Sequence, residues 1–205
     1  MTTLALFGTS ADPPTAGHQQ ILRWLSYRYD QVIAWASDNP LKLDQTPLIH
    51  RAAMLRLLIN DIEPPRYNLH CRQDLSHSRT ITTINLVRQE WPGVDLTFVI
   101  GSDLVRQLPR WYQSDQLIQQ VKLLVVPRPG YHVQTADWAN LQQMGAEVAI
   151  ANLQGLPVSS TASREAVRHN LANTIGLTPP IRDYILREHL YNTYHSPKQC
   201  TNVGT

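Results

Sequence analysis

Short apolar runs and segments of helical period take turns along this chain, and that alternation restricts the fold more than any other feature. Residues 4–7, 32–36, 67–70, 96–100, 123–126 and 147–150 read as strands. Helical spacing predicts helices over residues 20–29, 47–59, 81–91 and 134–144, and then over 160–171 and 181–190. Ile21, Leu22, Leu25 and Tyr29 share one face of the first helix, and Pro47 suits the first turn of the second. Strands that alternate with helices pair in parallel through right-handed crossovers. The expected fold class is therefore α/β, a single doubly wound parallel sheet with helices on both faces. Such sheets bind ligands beyond the carboxyl ends of their strands, at the switch point. One domain is expected over residues 1–191, and the polar, patternless stretch 192–205 is expected to be a flexible tail.

Charge and cysteine content narrow the function. Lys and Arg number 18 against 16 Asp and Glu, a formal net charge of +2. That is short of the basic excess of a nucleic-acid surface, so no nucleic-acid partner is expected. Cys71 and Cys200 have no neighbour at metal-ligand spacing. A reduced, cytoplasmic protein without structural zinc is the expectation. The apolar run at residues 4–7 is too short for a signal-peptide core, and no stretch approaches the roughly 18 apolar residues of a membrane span, so secretion and membrane insertion are not expected.

Two segments carry anion-binding chemistry. The first, Gly8-Thr9-Ser10-Ala11-Asp12-Pro13-Pro14-Thr15-Ala16-Gly17-His18, joins the first strand to the first helix. Gly8 permits a close turn with bared backbone N–H groups. Thr15 is placed as an N-cap, with His18 in the first helical turn. Gly17 removes a side chain where a phosphate could approach, and the helix start supplies donors and partial positive charge. From spacing alone, a plain capped helix with a surface His18 is an equal reading. The second segment, Val158-Ser159-Ser160-Thr161-Ala162-Ser163-Arg164, sets three hydroxyl residues at a helix start, with an arginine fork within about one turn. An ordinary Ser/Thr cap with a solvated arginine fits it as well.

The first segment resembles the nucleotidyltransferase signature GGTFDPxHxGH in its TxGH form, carried by Thr15-Ala16-Gly17-His18, with Thr9 in place of the second glycine and Ala11 in place of the aromatic. The second resembles ISSTxIR, with Val158 and Ser163 replacing the two isoleucines. Between them lie Phe98-Val99-Ile100-Gly101-Ser102-Asp103, Gln107-Leu108-Pro109-Arg110-Trp111-Tyr112 and Val125-Val126-Pro127-Arg128-Pro129-Gly130-Tyr131. This block is similar to bacterial nicotinate mononucleotide adenylyltransferases, whose pattern reads FIxGxDxLxxLPxW followed by VVxRPGY. Asn39-Pro40-Leu41-Lys42 resembles PPHK, and Ser78-Arg79-Thr80-Ile81-Thr82-Thr83 resembles SYTxDT with Arg79 and Thr82 as departures.

The resemblance implies a Rossmann-like nucleotidyltransferase fold and transfer of AMP from ATP to nicotinate mononucleotide, giving deamido-NAD and pyrophosphate in NAD biosynthesis. It assigns Thr15, His18, Arg164 and Lys42 to the reacting phosphates. Gly8, Thr9, Ser10, Gly17, Gly101, Asp103, Ser160 and Thr161 fall on the ATP side, and Thr80, Trp111, Tyr112 and Arg128 on the pyridine-nucleotide side. Mg2+ is expected to arrive with ATP rather than in a protein cage. Two alternatives stay open: nicotinamide mononucleotide as the preferred acceptor, and a nucleotide-binding sensor that has lost catalysis. Homo-oligomer formation is left open as well.

Overall fold

The computed structural model describes residues 1–38, 42, 44–169 and 176–191. The expected tail at 192–205, Cys200, the far end of the predicted 160–171 helix and Asn39-Pro40-Leu41 lie outside the described residues. The elements run β1 (Thr3–Thr9), α1 (Ala16–Ser26), β2 (Gln31–Ala36), α2 (Leu48–Asn60), β3 (Leu69–Cys71), α3 (Thr80–Glu90) and β4 (Asp95–Gly101). They continue through α4 (Ser114–Gln120), β5 (Lys122–Val126), α5 (Thr135–Gln143), β6 (Val148–Ile150), α6 (Ser160–Arg168) and α7 (Pro179–Arg187).

The six strands form one parallel sheet in the order β3-β2-β1-β4-β5-β6. Its register sets Leu6 beside Ile33 on one side and Phe98 on the other. Successive residues of a strand point to opposite faces, so the apolar runs supply both cores at once. Ala5, Phe7, Val32 and Ala34 pack with Leu22 and Leu25 of α1, with Met54, Leu55 and Leu58 of α2, and with Ile181 and Ile185 of α7. Leu4, Leu6, Ile33 and Phe98 face the other way, onto Ile81, Ile84 and Val87 of α3, Leu117 of α4 and Leu141 of α5. The chain reverses its direction of winding between β1 and β4, and their carboxyl ends open a crevice there.

Helix boundaries depart from the periodic pattern where capping decides them. The first helix begins at Ala16, four residues before the periodic segment 20–29, because Thr15 in extended conformation starts it. It stops at Ser26, so Tyr29 packs from beyond its end. Pro47 occupies the cap position before α2 rather than its first turn. Helix α4 is absent from the sequence expectation. It has seven residues, and Gln113 enters it at φ 52, a left-handed conformation more usual for glycine. Three 3₁₀ turns, Gln73–Leu75, Ser102–Leu104 and Leu108–Arg110, are equally unannounced by periodicity.

Candidate active site

The loop leaving β1 turns at Ala11, which holds φ 49 and is buried. Gly8 does not make this turn. It lies within β1 opposite Trp35, and a Cβ added there would stand 2.7 Å from the indole. Its small size therefore serves the packing of Trp35. Gly17 has a similar role, since an added Cβ would meet Val158 Cγ2 at 3.1 Å. The space expected for a phosphate beside Gly17 is the seat of the second motif, and the two motifs touch there.

At the start of α1, Thr15 is buried and its backbone N–H donates to His18 Nδ1 at 3.0 Å. Thr15 Oγ1 lies 2.9 Å from the same nitrogen. With Nδ1 accepting, the neutral ring carries its proton on Nε2. Desolvation, with the positive charge of Arg128 second, lowers the His18 pKa to about 4. His18 is thus a neutral, oriented donor at the mouth of the loop.

Helix α6 closes over the same loop. Ser159 caps it by accepting from Ala162 N–H at 3.1 Å. Ser160 Oγ donates to Pro13 O at 2.8 Å, and Arg164 donates to Asp12 O at 2.5 Å and to Thr161 Oγ1 at 3.3 Å. Two residues expected on phosphates are here struts between the motifs. Lys42 Nζ donates to Ser10 Oγ at 2.9 Å, which brings a positive charge to the same loop.

Across the crevice, Gly101 ends β4 and a Cβ there would run into the Asp103 carboxylate. Asp103 pairs with Arg128 at 2.8 Å. Ser102 Oγ accepts from Arg128 N–H at 3.0 Å and donates to Tyr131 O at 3.1 Å, fixing the Pro-rich turn to the end of β4. Arg128, expected on the pyridine side, thus joins Asp103 and acts electrostatically on His18.

Trp111 and Tyr112 form a second cluster, which Arg79, the residue before Thr80, reaches. Thr80 is the first residue of α3. Trp111 is half-buried and presents its ring edge-on to Phe98, with centroids 6.2 Å apart. Tyr112 is 52 % exposed, and the Arg79 guanidinium sits 4.0 Å from its ring centroid.

Two organising residues were given no role by the sequence reading. Arg51, fully buried in α2, donates to Thr46 O at 2.7 Å, Ser10 O at 3.0 Å and Ser37 O at 2.6 Å, tying the loops after β1 and β2 together. Gln73 donates to Ala36 O at 2.8 Å and accepts from Ala36 N–H at 2.9 Å, so its amide caps β2 as a strand would. An arginine at a helix position carries no sequence signal that sets it apart from a solvated one.

Comparison with known proteins agrees with this geometry. A family model described as Cytidylyltransferase-like matches residues 6–166. A Synechocystis sp. protein named "Probable nicotinate-nucleotide adenylyltransferase" is 37 % identical over 203 residues, covering 92 % of this chain and 98 % of its own length. The Bacillus subtilis nicotinate-nucleotide adenylyltransferase is 27 % identical, covering 94 % of this chain and 100 % of its own. Among solved structures, the Plasmodium falciparum nicotinic acid mononucleotide adenylyltransferase complexed with NaAD superposes with a TM-score of 0.79 at 18 % identity, covering 93 % of this chain and 98 % of that one.

Proposed function

The chain belongs to the cytidylyltransferase-like family, and we propose that within it this protein transfers AMP from ATP to nicotinate mononucleotide, releasing pyrophosphate and deamido-NAD. The observation that carries the reading is the meeting of the two motifs. Ser160 and Arg164 hold the carbonyls of Pro13 and Asp12 at the crevice between β1 and β4, where a sheet of this order takes its ligand. The nucleotidyltransferase domain is taken as residues 1–191.

In this reading the 5′-phosphate of the acceptor attacks the α-phosphorus of ATP and pyrophosphate leaves. The attacking oxygen is already anionic, so neither a general base nor a protein nucleophile is needed. Rate enhancement comes from positioning and charge stabilisation. His18 donates from Nε2 to the reacting phosphate, with Thr15 orienting the ring from the other side. Arg164 keeps donors beyond the one spent on Asp12 O, and with Thr161 it meets the β and γ phosphates. Lys42 adds charge from its loop. Gly8, Thr9, Ser10, Gly17 and Ser160 shape the loop around the triphosphate, and Gly101 and Asp103 face the ATP ribose. Thr80, Trp111, Tyr112 and Arg128 are assigned to the acceptor. Asp103 Oδ2 accepts from Arg128, which leaves Oδ1 to accept from a ribose hydroxyl.

Mg2+ fits this site as a passenger of ATP. Among the described residues no group of three or more His, Cys, Asp or Glu could hold a metal, and the Asp12 and Asp103 carboxylates are engaged by Tyr191 and Arg128. Bound to the phosphates, the ion would neutralise charge on the leaving group. Among the described residues no helix is long and apolar enough to cross a membrane; the cytoplasmic site of action is proposed from the nucleotide substrates alone.

The test is pyrophosphate release from ATP and Mg2+ with each acceptor. Turnover with nicotinate mononucleotide, and a higher kcat/KM for it than for its amide analogue, is the expected result. Preference for the amide would replace the acceptor. Nucleotide binding without turnover on either acceptor would make the protein a sensor.

A further inference from the structure

Arg79 occupies the N-cap position of α3 with extended backbone, φ −108 and ψ 116, yet its side chain makes no cap bond. Its backbone N–H is held by His77 Nδ1 at 3.1 Å, which fixes the start of the side chain. The guanidinium reaches across to the element after β4 and lies 4.0 Å from the Tyr112 ring centroid. Tyr112 is itself set by its neighbours. Trp111 before it is anchored edge-on against Phe98, and Gln113 after it adopts the left-handed turn that starts α4. A stacked guanidinium spends its flat face on the ring and keeps its in-plane N–H groups for another partner. The residue thus holds a permanently charged fork beside Thr80, over the face of an exposed aromatic ring.

We propose that Arg79 is a specificity-determining residue that selects a pyridine acceptor bearing a carboxylate over one bearing a carboxamide. This rests on the reading that Thr80, Trp111 and Tyr112 hold the pyridine. A guanidinium has five donors and no acceptor, so it matches a carboxylate at both oxygens. A carboxamide offers one oxygen, turns its own N–H donors toward those of the arginine and brings no charge. The stack on Tyr112 limits the entropy lost when the fork engages, and makes the preference a property of the pair rather than of a waving side chain.

The experiment is kcat/KM for nicotinate mononucleotide and for nicotinamide mononucleotide at fixed ATP and Mg2+, in wild type, Arg79→Gln and Arg79→Lys. Arg79→Gln should lower the acid-to-amide ratio about tenfold, the size of one charge-assisted hydrogen bond at a partly exposed site. The loss should fall on KM for the acid, with kcat and KM for ATP little changed and KM for the amide shifted far less than KM for the acid. Arg79→Lys keeps the charge and loses the plane, so it should retain part of the ratio. Added salt should compress the wild-type ratio more than the Arg79→Gln ratio, which a purely structural role of Arg79 would not produce. A wild type that prefers the acid, with an unchanged ratio in Arg79→Gln, overturns this proposal and leaves the reaction standing. A wild type that turns over neither acceptor, or both equally, overturns it together with the acceptor reading.

Discussion

His18 shows how little is needed to make a side chain serve one protonation state. Thr15 N–H occupies Nδ1, burial disfavours charge, and Arg128 repels a second proton, so the ring stays neutral down to about pH 4. A donor on Nε2 is then available throughout the physiological range. Removing it in His18→Ala should lower kcat about 100–1,000-fold, the usual loss of a donor to transition-state charge, with the melting temperature little changed. The kcat profile of wild type should show no inflection near pH 6.5. The stability profile has the opposite character. The unfolded ring titrates at its model value of 6.5 and the folded one at about 4, so the unfolded state binds more protons between those values. The contribution of His18 is complete above pH 6.5 and is lost as pH falls toward 4. Denaturant midpoints measured across that window should fall more steeply for wild type than for His18→Ala, and parallel curves would contradict the assignment.

The strands and most helices are legible because period and flanking residues agree. The alternation of apolar runs yields all six strands, and Thr15 marks the start of α1 where the apolar face alone points four residues late. The motif loops are harder, because the same residue type serves packing and binding. Gly8 reads as a turn that bares N–H groups and Gly17 as an opening for a phosphate, but their missing side chains make room for Trp35 and Val158. Ser160 and Arg164 read as anion ligands, and both are first spent on carbonyls of the opposite motif. These contacts join residues well over a hundred positions apart, so nothing local in the sequence reports them. Helix α4 stayed hidden for a different reason: its seven residues offer only Leu117 and Ile118 as a buried apolar pair. The packing role of Gly8 has a direct consequence. Gly8→Ala drives a methyl to 2.7 Å from a buried indole in the central strand. Overpacking of this kind costs about 1–3 kcal/mol, visible as a lower denaturant midpoint. The double variant Gly8→Ala with Trp35→Phe should recover part of the loss, since the smaller ring vacates the clash. If Gly8→Ala were as stable as wild type but weak for ATP, the glycine would be serving the nucleotide instead.

At the scale of the whole molecule, helix α7 returns to the loop that leaves β1. Helix α7 packs Ile181 and Ile185 beside α2, and just past it Tyr191 takes a left-handed turn at φ 63. Its hydroxyl donates to Asp12 Oδ1 at 2.7 Å, a contact that spans nearly the full domain. Burial first of all holds the phenol well above its ordinary pKa, so Tyr191 remains a donor at every working pH. Asp12 is 5 % exposed, and its second oxygen accepts from Thr46 N–H at 3.3 Å. The carbonyl of the same Asp12 is the one that Arg164 grips. Tyr191, Asp12 and Arg164 therefore make a single line from the end of α7 to the start of α6. Tyr191→Phe keeps the ring and deletes one donor to a buried carboxylate, which should cost about 1–3 kcal/mol. For a domain of this size that is about 2–4 °C in Tm for each kcal/mol. Because Asp12 then loses an anchor, kcat should fall as well, while KM for the acceptor, which the proposed reading puts at Trp111 and Tyr112, should stay near its wild-type value. Tyr191→Ala should be less stable again, through the lost ring. A Tyr191→Phe protein with unchanged Tm and unchanged kcat would mean that the return of α7 closes the fold without reaching the chemistry.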